Sequence, residues 1–406
     1  MKILLYEHVS GGGYIGEELP EWGAIEGYAM LKALTEDFKA LGFQILTLLD
    51  SRLKGQTLKA DRVELVGSRS NWEASFRRLL KEADAALIVA PEVDGALAKL
   101  VGEAWQLCPL TLNCPPSFFE NFPSKIEVYE ALRRKGVNVP ETLVLEVDEA
   151  RRDIDHLSDK LGFPMVIKPP NGAGCLGVNL IENKEQLKQA LEHWVKIGAE
   201  DSKLIFQEFI GGVHASLSLI ASNLHVRLST LNLQILKLNS PPLSSQYMGG
   251  ITPLAKRVPK EIMVEAIKVL KALRLGLKGY VGVDLVLAGK PYIVEVNPRL
   301  TTSYLGVRRT FKQNLAAEIL NSFLDESPSA KSISPAGYAA YLKTIKPKRG
   351  LDSADFYSLN ECPGMLTVYA SSIKDLLLRI GGLVEPDVQK LIGEEVSRFR
   401  RWRSKR

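Results

Sequence analysis

Two strand-length apolar runs constrain this chain more than any other stretch: Gly282-Val283-Asp284-Leu285-Val286-Leu287 and Pro291-Tyr292-Ile293-Val294-Glu295-Val296-Asn297-Pro298-Arg299. Gly289-Lys290 between them reads as a hairpin turn. Antiparallel pairing of the two runs would set Asp284 opposite Glu295. Glu295 and Asn297 are two residues apart, so their side chains leave the same face of the strand, with Arg299 next on that face. Hard-oxygen ligands of this kind suit Mg²⁺, which binds one or two carboxylates and completes its shell with substrate phosphates. A single acid on a half-buried hairpin is ordinarily a solvent-facing position. Three polar groups and an arginine in so apolar a run fit that reading poorly.

With 406 residues, of which 46% are hydrophobic and 24% charged, the chain has the composition of a soluble globular protein of two or three domains. No apolar run reaches the length of a membrane span, and the first residues lack a signal-peptide layout. Cys108, Cys114, Cys175 and Cys362 form no CxxC pair and no zinc spacing, so they read as free thiols of a cytoplasmic protein. The net charge of +5 is concentrated in the last nine positions, where six residues between Arg398 and Arg406 are basic. That tail reads as a solvated helix end in preference to a nucleic-acid or lipid contact, and nothing else suggests a nucleic-acid surface.

Strand patterns at 2–9, 43–50, 84–90 and 109–113, with helical patterns at 24–41 and 95–106, predict a β-α-β domain with a parallel sheet over residues 1–117. Beyond the Pro115-Pro116 pair come helices at 124–135, 150–161 and 184–197 and strands at 142–146, 164–168, 177–182 and 203–209. The next strands, 214–222, 224–233, 280–287 and 291–297, read as antiparallel, with a helix at 259–273. Residues 326–406 add strands at 338–346 and 364–370 and a helix at 384–402. Domain boundaries are expected at 1–117, 118–202, 203–325 and 326–406.

A second anchor is Phe163 to Val178, in which a strand delivers Lys168 at its end and a loop containing Gly172, Gly174 and Gly177 turns into the next strand. Such loops let backbone N–H groups approach phosphates with no Cβ in the way, and the lysine adds a point charge. There is no GxxxxGK[ST] and no helix after the glycines, so this is not a P-loop. Between the two anchors, Leu204 to Ser216 is an apolar strand that ends in Gln207-Glu208 and breaks at Gly211-Gly212, the pattern of a hinge.

Lysine strand, glycine loop, Glu-Phe-Ile hinge and Asp…Glu-Val-Asn hairpin stand in the order of the ATP-grasp enzymes, and the resemblance spans roughly residues 120–315. It implies an α/β and α+β fold: a Rossmann-like N-terminal domain, a two-lobed ATP-grasp clamp and a C-terminal extension. It also implies ATP and Mg²⁺ as cofactors, with Mn²⁺ able to stand in. By position Lys125 resembles the first phosphate lysine and Lys168 the second. Gly172, Gly174 and Gly177 would cover the phosphates, and Gln207, Glu208, Phe209 and Ile210 would line the adenine. Asp284, Glu295 and Asn297 match the metal ligands, and Arg299 an arginine used on the reacting carboxylate. Where the family often places a ribose-binding glutamate after the hinge, this chain has His214, which could contact a ribose or simply be a satisfied strand residue.

The words Tyr6 to Gly13, Ala90-Pro91-Glu92, Asn232-Leu233-Gln234, Tyr247 to Gly250 and Glu295 to Gly306 resemble the ATP-grasp branch that contains tyramine–L-glutamate ligase. That resemblance implies a small-molecule carboxylate and an amine as substrates, with Arg299, Thr301, Thr302 and Ser303 flanking the carboxylate. The class fits the residues, because acyl-phosphate chemistry rests on positioning and charge neutralisation and needs no Ser-His-Asp set. Ligases for another amino acid or cofactor precursor, an ATP-grasp phosphotransferase and a non-enzymatic nucleotide-binding module are the competing readings. A homo-oligomer is compatible with the sequence.

Gly11-Gly12-Gly13-Tyr14-Ile15-Gly16 also fits GxGxxG after a strand, and Asp50 ends the second strand. The stretch after Gly16 is acidic and broken by Pro20, where a pyrophosphate would need a helix N-terminus, so dinucleotide binding is disfavoured. In the family the loops of the first domain often face the ligated substrate. Glu7, Ser10, Gly11 and Gly12, with Gly13, are therefore candidate substrate contacts, and a tight packing turn is the alternative. The glycine loop 171–177 and the turn-rich run 239–249 are candidate lids.

Overall fold

The computed structural model describes residues 1–222, 225–274, 276–324, 334–344, 354–359 and 364–404. Cys362 lies outside them. The first domain holds β1 (Lys2–Glu7), α1 (Glu21–Ala40), β2 (Gln44–Asp50), β3 (Arg62–Val66), α2 (Arg69–Glu82), β4 (Ala85–Val89) and α3 (Ala96–Leu107). Its parallel sheet has the order β3-β2-β1-β4. Both faces of β1 are covered, Ile3 and Leu5 against α1, and Leu4 and Tyr6 against α2 and α3. That is why its sequence is continuously apolar.

Strand β3 and helix α2 are additions to the elements expected from sequence. The strand lies at the sheet edge and alternates charged and apolar residues, so it lacks the apolar run of its neighbours. Helix α2 is polar on most of its surface and buries only the stripe Trp72, Ser75, Phe76, Leu79 and Leu80, under a Ser68 N-cap. The run expected as a strand at 109–113 makes only a single parallel bridge, Thr111 to Ala86.

The clamp continues the chain with α4 (Pro116–Asn121), α5 (Lys125–Arg134), β5 (Thr142–Glu146), α6 (Val147–Arg152), α7 (Ile154–Leu161), β6 (Met165–Lys168), β7 (Asn179–Ile181), α8 (Lys184–Lys196) and β8 (Lys203–Glu208). The single helix expected at 150–161 is two, because Asp153 leaves the helical conformation. The four strands form an antiparallel sheet in the order β5-β8-β6-β7. Since β8 pairs with β5 and β6, the small lobe extends to residue 208 instead of ending at 202. Helices α4 and α5 pack Phe118, Val128, Ala131 and Leu132 into the core of the other lobe, although by sequence they group with the small one.

The large lobe is one eight-stranded sheet. Its members are β9 (Val213–Ser222), β10 (His225–Lys237), β11 (Gln246–Thr252), β12 (Gly279–Leu287), β13 (Pro291–Asn297), β14 (Tyr338–Thr344), β15 (Ala354–Ser358) and β16 (Gly364–Ala370). Their order is β13-β12-β9-β10-β11-β14-β16-β15. Helices α9 (Lys260–Ala272), α10 (Tyr304–Thr310), α11 (Leu315–Leu324), α12 (Ile373–Ile380) and α13 (Pro386–Ser404) complete the lobe. The segment after residue 325, expected as a C-terminal extension, thus supplies three strands of the central sheet. Likewise β11 occupies 246–252, inside and beyond the run expected as a mobile loop.

The sheet's two faces differ in kind. One carries Ala215, Leu217, Leu219, Leu231, Leu233 and Val283 into a core closed by α5, α9, α12 and α13. The other carries Ile220, Leu228, Tyr280 and Tyr341 against α1 of the first domain and the lobe's own α10 and α11. Next to those apolar residues the same face turns polar, with Ser216, Ser218, Asn232 and Asp284. The candidate site lies there.

Candidate active site

The hairpin pairs in the expected register, Asp284 opposite Glu295 and Gly282 opposite Asn297, with a bulge after Asp284. Asp284 Oδ1 accepts from Gln234 Nε2 at 2.9 Å and Oδ2 from Asn297 Nδ2 at 3.3 Å. Removal from water, and then the Glu295 charge, push the Asp284 carboxyl up to about 7 against those two hydrogen bonds. Two carboxylates held side by side in an enclosed spot, with the amide oxygen of Asn297 still free to bind a ligand, make a hard donor set that fits Mg²⁺. Among the described residues no group of three or more His, Cys, Asp or Glu is placed to hold a metal. A two-carboxylate site of this sort is completed by phosphate oxygens.

Two lysines face the hairpin. Lys168, buried at the end of β6, donates to Gln207 Oε1 at 3.2 Å, and Gln207 Nε2 donates to Thr142 Oγ1 at 2.9 Å. Burial pushes the Lys168 ammonium down to about 8, the Glu295 charge opposes this, and Lys125 adds to it. Lys125, at the start of α5, is placed by the capping box of Ser124 and Glu127. Its Nζ donates to Gly172 O at 2.8 Å and lies 3.5 Å from Glu295 Oε1, which ties the glycine loop to the hairpin. Within that loop Gly174, Cys175 and Gly177 have φ values of 64°, 68° and 72°.

At the hinge, the Glu208 carboxylate accepts from the Glu141 backbone N–H at 2.9 Å, and Phe209 N–H donates to Pro164 O at 3.2 Å. Ile210 continues the segment to Gly211. His214 has its surroundings in α13: its backbone N–H donates to Glu395 at 3.4 Å, and burial together with the Arg398 charge pushes its imidazole down to about 4.

Arg299 makes a two-pronged contact with Glu92 of the first domain, Nε to Oε1 at 2.9 Å and Nη2 to Oε2 at 2.8 Å. Thr301, Ser303, Ser218 and Tyr280 share a hydroxyl network with contacts of 2.8 to 3.1 Å, and Asn232 donates to Ser218. Thr302 instead donates to Glu26 of α1 at 2.7 Å. Glu7 is buried and accepts from Ser10 Oγ and Ser10 N at 2.7 Å. The glycines of its loop meet the domain's own core, since a Cβ would fall 2.3 Å from Glu7 O at Gly11, 2.6 Å from Val66 at Gly12 and 2.2 Å from His8 at Gly13.

Glu92, Gln234, Glu26 and Lys343 went unassigned in the sequence. Glu92 had a usable signal, an acid directly after the C-terminal end of a parallel strand, where α/β sheets place ligands. The other three are ordinary polar residues until the sheet order and α1 bring them to one face.

Residues 122–303 match the family described as the ATP-grasp domain, and residues 43–117 match the pre ATP-grasp 3 domain. The chain carries an ATP-grasp domain preceded by a pre ATP-grasp domain. Tyramine–L-glutamate ligase of Methanocaldococcus jannaschii is 25% identical over 313 residues, 75% of this chain and 84% of that protein. D-alanine–D-alanine ligase A of Bacillus cereus is 28% identical over 178 residues, 43% of this chain and 57% of that one. The biotin carboxylase domain of Hydrogenobacter thermophilus 2-oxoglutarate carboxylase, solved with MgADP, superposes with a TM-score of 0.68 over 97% of this chain and 93% of that chain at 14% identity. This ATP-grasp protein is an enzyme of the carboxylate–amine ligase class, forming a C–N bond with release of ADP and using ATP with Mg²⁺. None of its described helices is long and apolar enough to cross a membrane.

Proposed function

We propose that this ligase activates the side-chain carboxyl of an amino acid as an acyl phosphate and joins it to an amine, with L-glutamate and tyramine the leading pair. The observation that carries the reading is the convergence of Lys125 and Lys168 on the Asp284–Glu295–Asn297 hairpin, one strand end away from Arg299. The substrate pair comes from the similarity to tyramine–L-glutamate ligase. Asp284, Glu295 and Asn297 would hold Mg²⁺, which supplies charge neutralisation at the phosphates when bound.

The chain's own residues do the remainder. Lys168 and Lys125 present ammonium groups to the phosphates, and the loop around Gly172, Gly174 and Gly177 offers backbone N–H donors. Gln207 orients Lys168, while Glu208, Phe209, Ile210 and His214 are the adenine- and ribose-side candidates. Glu92 fixes the plane of Arg299 and Leu300 O takes a hydrogen bond from its Nη1, and the remaining Nη donors would meet the reacting carboxylate. Thr301, Thr302 and Ser303 form the substrate-side wall with Glu7, and Ser10, Gly11 and Gly12 hold the Glu7 loop in place. None of these steps asks for a nucleophilic side chain, because the substrates supply both reacting groups.

The test measures ADP and phosphate release from protein supplied with Mg-ATP and a panel of carboxylates and amines. Release that needs both L-glutamate and tyramine supports the full reading. Release with another carboxylate–amine pair moves the substrates and keeps the class. Release with a lone hydroxyl acceptor would mean a phosphotransferase.

A further inference from the structure

Lys343 of β14 and Glu26 of α1 form a largely buried ion pair that no step of the ligation uses. Lys343 is 7% exposed, and its Nζ lies 5.8 Å from the centre of the Tyr247 ring. The Glu26 carboxylate takes both Lys343 and the hydroxyl of Thr302, three residues beyond Arg299 in the chain. Its helix neighbour Gly27 abuts the Glu7 carboxylate, where a Cβ would fall 2.2 Å from Oε2.

Register places this pair on the reacting face of the sheet. Gln234, which holds Asp284, pairs with Gly250, and Gly250 pairs with Tyr341. Lys343 is two residues further along β14, so it shares the face of Tyr341. Across the space, the Cys175 thiol of the glycine loop feels Glu295, Asp284, Lys343 and Glu26 together. The pair and Asp284 therefore stand on one face of the sheet, linked through Gln234 and Tyr341.

An ion pair at such depth is a weak source of stability, since desolvation offsets most of the attraction. It is well suited to a ligand that carries both charges. Resting on the amino-acid ligase reading, we propose that Glu26 and Lys343 select the carboxylate substrate by its α-ammonium and α-carboxylate groups. The pair satisfies itself when the pocket is empty. The α-head group exchanges into it, with ammonium to Glu26 and carboxylate to Lys343, so no charge loses a partner and the distal carboxyl is the one net charge added. The distal carboxyl is then left to Arg299 and the phosphates. In this way the segment after residue 325 acquires a task, because it delivers the lysine.

Calorimetry on the full chain saturated with Mg-ADP tests this with three probes: L-glutamate, 4-aminobutyrate, which lacks the α-carboxylate, and glutarate, which lacks the ammonium. The wild-type protein should bind L-glutamate at least about tenfold more tightly than either analogue, as expected when a buried polar group loses its match. Lys343→Met should erase the preference over 4-aminobutyrate and keep that over glutarate. Glu26→Gln should do the reverse, and Lys343→Arg and Glu26→Asp should recover most of each preference. No L-glutamate binding, equal affinity for the three probes, or unchanged ratios in both variants overturns the assignment. Intact preferences without ADP release would instead overturn the ligase reading and leave the pair standing.

Discussion

Asp284 and Glu295 stand together because strand pairing forces them to, and their mutual repulsion is what a cation would relieve. Replacing Glu295 by Gln keeps the shape and removes one charge. Turnover should fall by about 10²–10³, the range for losing one electrostatic contact to the reacting charge. The melting temperature should stay within about 2 °C, as for a partly exposed substitution. Full activity in this variant would show that the metal lies elsewhere. Glu7 gives a pH signature. Burial raises its carboxyl from 4.5 to about 7 against the hydrogen bonds from Ser10 and Val9. Between those values the folded protein holds a proton that the unfolded chain has released, so wild-type stability falls as pH rises through the window. The melting temperature of Glu7→Gln relative to wild type should therefore climb between about pH 4.5 and 7 and level off above, with no such trend if Glu7 is ionised throughout. The residues legible in sequence were those in local patterns, such as Asp284, Glu295 and Lys168. Glu26 and Lys343 were not, since their meaning comes from elements 317 residues apart.

The glycine loop and β11 show what an element's sequence does and does not announce. Gly174 and Gly177 both have positive φ, but only at Gly177 would a Cβ also meet Pro169, 3.1 Å away, with Trp194 at 3.5 Å. Gly177→Ala should lower stability by about 1–2 kcal/mol and raise the KM for ATP, and Gly174→Ala should cost about 1 kcal/mol or less. Comparing the two KM values by ADP release checks this, and equal effects would detach Gly177 from phosphate binding. In β11 the signal was inverted. Gly249, which read as a turn former, and its neighbour Gly250 are strand residues chosen for clearance, since a Cβ would fall 2.0 Å from Tyr341 O at Gly249 and 2.2 Å from Leu233 O at Gly250. Composition cannot separate a glycine that bends the chain from one that lets two strands pass.

At the scale of the whole molecule, the first domain is fastened to the large lobe by polar locks as well as by apolar packing. Asp37 of α1 accepts from Arg308 at 2.6 and 2.8 Å and from Tyr304 OH at 2.5 Å, all largely buried. Asp37→Ala takes the two-pronged partner from Arg308 and leaves it the Glu36 carboxylate at 3.4 Å, and the expected loss is about 2 kcal/mol, read by denaturant titration. Asp37→Leu should cost no less, and a change below about 0.5 kcal/mol in either variant would show that the lock contributes nothing. The sequence by itself carried the ATP-grasp resemblance, because the acidic hairpin, the lysine strand and the hinge are local patterns fixed by a two-residue strand period and by glycine. Tertiary structure alone decided the lobe boundary after β8, the merger of the C-terminal strands into the central sheet, and the meeting of Glu26, Thr302 and Lys343. Strand order is set by which apolar faces find cover, a non-local matter that no segment records on its own.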